Sequence, residues 1–223
     1  MIDTALSEII QKIAAYAIPF LFAITLHEVA HGWAASRLGD STAKMLGRLT
    51  INPIKHVDPV GTILMPAILL IMKSPFLFGW AKPVPINPRN LRNPSRDMII
   101  VAAAGPAANF VMAFFWAVML RLLDSFGGAL GSSANFFIQM IEFGIIFNVL
   151  LGVFNLVPIP PLDGGRVLRQ VVAPQLGGIL DRIEPYGFII VIALAALGPL
   201  WMIIRPVMRF ITTGMLSIVG FQG

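Results

Sequence analysis

The stretch IIQKIAAYAIPFLFAITLHEVAHGWAAS, residues 9–36, is apolar for two thirds of its length and then carries His27, Glu28 and His31 within five positions. A helix needs about 20 mostly apolar residues to cross a hydrocarbon core of about 30 Å, and this run has them. Only Lys12 interrupts it before the polar cluster. Three further runs qualify: Met98–Leu120, Phe143–Leu162 and Pro185–Ile204. In the second of these, Pro158, Pro160 and Pro161 must end the helix near Asn155–Val157. Pro59–Met72 is apolar but too short to span, which suits a re-entrant or interfacial segment. The tail Pro206–Gly223 is open to either reading.

Composition agrees. Of 223 residues, 57% are hydrophobic and 12% charged, against about a quarter charged in soluble domains. A mean hydropathy of +0.83 is equally foreign to disordered chains. The expected fold is therefore an all-α polytopic membrane protein with about four to six membrane segments, forming one membrane-embedded domain over residues 1–223. The first run is expected to persist as a span, because Asp3 and Glu8 precede Lys12 where a signal peptide would be basic, and no small-residue cleavage site follows.

Charge sets the orientation. Between Arg37 and Asp97 lie nine basic residues, Lys73 among them, and three acidic ones, so this segment is expected in the cytoplasm. The 157–184 loop should return to the same side. Topology and anionic lipid of the bilayer then account for the net charge of +5, and no nucleic-acid partner is needed. Within the basic segment, Leu46–Pro53 and Trp80–Pro88 both end in Ile-Asn-Pro and contain extended-favouring residues. Short β-strands are expected in this cytoplasmic-side loop, residues 44–90.

The cluster on the first span spells H-E-x-x-H. At 100° per residue His31 lies about 40° round from His27 and one turn along, so both imidazoles can reach one metal with Glu28 beside them. With three His in the chain, chance would produce such a match on the order of 10⁻³ times. A catalytic zinc takes three protein ligands and keeps one position open. The chain has no Cys, so the third ligand must come from Asp40, His56, Asp58, Glu142 or Asp163. Asp40 should cap the first helix; His56 and Asp58 sit among basic loop residues; Glu142 should lie at the far end of its span. Asp163 fits best, because it follows a span that returns to the cytoplasmic side, after prolines that stop the helix and before glycines that permit close approach. Asn155, eight positions earlier, is a candidate donor to a developing oxyanion. In Ala103–Ala108 the small residues should permit close helix packing, with Asn109 a candidate contact to the site or substrate.

His27–Gly32, the Gly105–Asn109 segment, and Asn155 through Leu162-Asp163-Gly164-Gly165 together resemble the site-2 protease family of intramembrane zinc metalloproteases, peptidase family M50. The resemblance implies a three-helix catalytic core and one Zn²⁺ per chain held by His27, His31 and Asp163. It also implies Glu28 as general base and acid, and Asn155 contacting the substrate backbone or oxyanion. Substrates would be membrane proteins cut within or near their transmembrane segments. The chain resembles a minimal form without PDZ or CBS domain, which leaves regulation to a partner protein. Its Ile-Asn-Pro segments are similar to those of small bacterial and archaeal members, implying a prokaryotic cell (inner) membrane. Such a protease must unwind its helical substrate, and an Ile-Asn-Pro strand or the proline-rich stretch before Asp163 is expected to offer an edge to the unwound chain.

Two rival classes differ in what they require. A metal transporter should show ligands on several spans and often inverted repeats, and neither is present. A non-catalytic binder that sequesters transmembrane segments has no need of a carboxylate beside the two histidines.

Overall fold

The computed structural model describes residues 2–72, 79–126, 131 and 133–221. Lys73 and the last two residues of the tail fall outside this set. Among the described residues eight α-helices follow in order: α1 (Ile2–Arg37), α2 (Thr42–Met45), α3 (Met65–Ile71), α4 (Pro94–Phe126), α5 (Ala134–Asn155), α6 (Asp163–Val171), α7 (Pro174–Leu197) and α8 (Pro199–Ile218). Three segments among the described residues are long and apolar enough to cross a membrane: Ile10–Arg37, α4 and α5. The chain is an all-α polytopic membrane protein.

Those three helices pack each against the other two. Close approach comes from small residues: α4 buries Ala102, Pro106, Asn109, Ala113 and Ala117, three or four positions apart on one stripe, with Gly105 beside them. Bulk on one helix meets glycine on another. A Cβ at Gly144 or Gly152 of α5 would strike the Trp116 or Phe110 ring of α4. Outside the trio, α8 packs on α5, and α6 packs on both α4 and α7.

Two expectations need correction. The run Pro185–Ile204 is not one straight span: Gly198 takes a left-handed φ of 99° and Pro199 opens the next helix, so α7 and α8 meet at a 77° bend. With that pair counted as one, the spans number four, the lower end of the expected range. The short β-strands expected within 44–90 are absent among the described residues. Residues 79–87 form neither helix nor strand, and their hydrogen bonds go to scattered loop and side-chain groups rather than to a paired strand. Trp80 and Lys82 donate to the carbonyls of Gly61 and His56, at 3.1 and 2.9 Å. Pro83 and Pro85 remove the donors a ladder would need.

A buried aspartate anchors this segment. Asp40, just past α1, accepts from the Asn87 amide (2.7 Å), the Thr42 amide (3.0 Å), the Asn90 side chain (3.1 Å) and the Thr42 hydroxyl. Burial pushes its pKa up, and these donors outweigh that and hold it below the ordinary carboxylate range.

Candidate metal and catalytic centre

The carboxyl-terminal half of α1, the start of α4 and the start of α6 meet at one end of the bundle. His27 and His31 project from α1 towards α4, where Gly105 leaves room for them; a Cβ there would collide with both rings. Asp163 arrives from the other side. α5 ends at Asn155, the chain turns through Pro158, Pro160 and Pro161, and α6 begins at Asp163 itself. Glycine is obligatory in that first turn, since a Cβ at Gly164 would meet the Leu156 carbonyl and one at Gly165 the backbone of Ile159 and Pro160.

Hydrogen bonds determine what the two imidazoles present. His31 Nδ1 lies 2.7 Å from the Val101 carbonyl, which can only accept, so this nitrogen carries the proton. His27 Nδ1 lies 2.6 Å from Asn109 Oδ1. Asn109 donates from Nδ2 to Asn148 Oδ1 (3.0 Å) and the Ala23 carbonyl (3.2 Å), and Asn148 donates onward to the Gly144 carbonyl (2.8 Å). Every oxygen along this chain accepts, so His27 Nδ1 must donate too. Both Nε2 atoms therefore offer lone pairs. They stand 3.0 Å apart, and each is 3.2 Å from Asp163 Oδ2.

Three acceptors facing one another in a buried space repel unless a cation lies among them. Asp163 Oδ2 is buried with no hydrogen-bond donor. The three ligand atoms lie within 4.8 Å of one another, and among the described residues no other histidine and carboxylate group converges in this way. Two imidazole nitrogens and one carboxylate oxygen form a donor set suited to catalytic zinc, and the three residues also line open space. That space is a cleft of about 400 Å³ between α1, α6, α7 and the segment from Trp80 to Ile86. Glu28 lines it, and its Oε2 accepts from the Val84 amide at 2.7 Å. Trp80 meets Phe188 of α7 edge to face, ring centroids 5.2 Å apart, across the same cleft.

The other candidates stand apart. Asp40 is saturated by the donors above. His56 is fully buried with Nε2 at 2.9 Å from the Thr50 carbonyl, Asp58 caps the turn at Val60 and Gly61, and Glu142 is exposed on α5. Asn155 does line the cleft, but one of its two amide hydrogens goes to the Leu151 carbonyl at 2.9 Å. Two participants escape the sequence reading. Asn148 is a polar residue within an apolar run, which is the signal that could have found it. The Val84 amide is a backbone group with no signature.

A membrane-embedded chain with a buried His-His-carboxylate group able to hold a metal ion is what this fold and site define. The family model for peptidase family M50 matches residues 15–198, and the chain belongs to that family. It is similar to "Putative zinc metalloprotease YwhC" of Bacillus subtilis, 39% identical over 79% of this chain and 78% of the relative. It is 31% identical to "Putative zinc metalloprotease Rip2" of Mycolicibacterium smegmatis, over 78% of this chain and 64% of the relative. A more distant relative is "Zinc metalloprotease MJ0392" of Methanocaldococcus jannaschii, 21% identical over 69% of this chain and 33% of the relative. No solved structure matches. The protein is an intramembrane zinc metalloprotease, and its substrates are membrane proteins.

Proposed function

We propose that His27, His31 and Asp163 hold the zinc and that Glu28 is the general base and acid for peptide-bond hydrolysis within or near transmembrane segments. The observation that supports this most is the meeting of His27 Nε2, His31 Nε2 and Asp163 Oδ2 at 3.0–3.2 Å with both Nδ1 atoms already committed. When bound, zinc supplies Lewis acidity and brings the pKa of water from 15.7 towards about 7. The chain's residues do the rest. Asn109 and the Val101 carbonyl orient the rings and set their tautomers, as supporting groups do in metal sites. Glu28 accepts the proton of the attacking water and delivers it to the nitrogen of the departing amine. Asn155 keeps a second amide hydrogen for the substrate backbone. Trp80 and Phe188 provide an apolar wall for a segment drawn from the bilayer.

The positive-inside pattern supports a cytoplasmic site, with the basic loop on anionic lipid and no nucleic-acid partner, and the bacterial relatives support a prokaryotic cell membrane. Residues 1–223 act as one domain, and control falls to a regulatory partner protein. Cleavage of a co-expressed single-span membrane protein, with metal analysis of the purified enzyme, tests the reading. Wild type should carry one zinc per chain and cut; Asp163→Ala should lose both properties. An Asp163→Ala protein that keeps its zinc would refute the ligand set.

A further inference from the structure

Among the described residues Arg166 is the one lysine or arginine lining the catalytic cleft. It sits three residues after Asp163 on the first turn of α6, with a terminal guanidinium nitrogen 4.0 Å from Asp163 Oδ1, beyond hydrogen-bond reach. Its side chain is 39% exposed. Other arginines are engaged: Arg169, one turn on, holds Asp181 with bonds of 2.6 and 2.9 Å, and Arg48 donates to the Lys82 carbonyl at 2.9 Å. No such bond occupies Arg166 among the described residues. It also lines a second cavity of about 360 Å³, which shares Val84 and Ile86 with the first, so it borders both spaces. An extended peptide leaving the cleft by that route passes its five N–H donors.

Resting on the protease reading above, we infer that Arg166 is a catalytic residue whose guanidinium donates to the scissile carbonyl oxygen. Water adds to the carbonyl carbon, and the oxygen takes up the electron pair of the C=O bond. The C–N bond then breaks as that pair returns, and the proton held by Glu28 goes to the amine. A cation beside the oxygen acts most where charge develops, so it lowers the barrier more than it tightens binding. Asn155, with one amide hydrogen engaged and no charge, is the weaker donor.

The rival role is to steady Asp163, and metal content separates the two. Wild type, Arg166→Lys, Arg166→Ala and Glu28→Gln are purified, analysed for zinc and assayed on one single-span substrate. The expected result is full zinc in all four, KM within about twofold for the Arg166 variants, and kcat lower by about 100-fold in Arg166→Ala, in line with loss of an oxyanion donor. Arg166→Lys should recover part of the rate, and added guanidinium ion should restore Arg166→Ala but not Glu28→Gln. Unchanged kcat, a change confined to KM, or zinc loss parallel to activity in both Arg166 variants would overturn the assignment. A wild type no more active than Glu28→Gln would overturn the protease reading itself, and this proposal with it.

Discussion

Asp40 and Asp163 are both aspartates buried at the same end of the bundle, and their surroundings are opposite. Asp40 accepts from four donors on three residues. Asp163 Oδ2 has none, and the nearest polar atoms are two ring nitrogens whose protons lie on the far side. One carboxylate has its charge balanced by the fold, whereas the other needs a cation the fold does not supply. A satisfied buried acid holds elements together; an unsatisfied one facing lone pairs marks a metal site. The histidines divide likewise, with His56 bonded to its own loop and His27 and His31 aimed at shared space.

Substitutions should separate the two regions most sharply at Asp163. Asp163→Ala should leave zinc below a tenth of the wild-type content and cleavage undetectable, whereas Asp40→Ala should retain zinc when folded; metal analysis of both checks this. Glu28→Gln should lower kcat by about 10²–10⁴ with zinc unchanged, the usual span for a general acid and base. Asn109→Ala removes the acceptor that holds His27, and should weaken zinc about 10- to 100-fold in chelator competition.

The smallest effect belongs to Asp40. Asp40→Asn should lower unfolding stability at neutral pH by about 1–3 kcal/mol, as for loss of hydrogen bonds to a charged group. Since the folded pKa lies below the unfolded one, the wild-type advantage is fully present above the unfolded value and fades as pH falls through the folded one. Thermal melts of both proteins between neutral and acid pH should therefore converge on the acid side. A gap that widens there would mean Asp40 is held protonated.

Much of this contrast was legible in the chain itself. H-E-x-x-H on an apolar run leaves few uses for two imidazoles, and prolines followed by Asp163-Gly-Gly announce a helix stop with tight backbone packing. The small residues around Gly105 were readable as packing, but not that the space is taken up by the rings of His27 and His31, because that depends on the approach of two distant helices. Local propensity misled at 44–90. Extended-favouring residues there form no ladder, because pairing is a tertiary property, and the segment is tied instead to Glu28, Asp40 and neighbouring loops. The bend at Gly198 was lost inside a continuous apolar run, since hydropathy ignores backbone sign.

Zinc-edge X-ray absorption on the purified wild type and Asp163→Ala proteins tests the central claim most directly. The wild type should show one zinc with two imidazole nitrogens and a carboxylate oxygen at about 2.0–2.2 Å, and reconstituted Asp163→Ala should lack the carboxylate scattering. Identical spectra from the two proteins, or a wild-type zinc bound by a single imidazole, would contradict it.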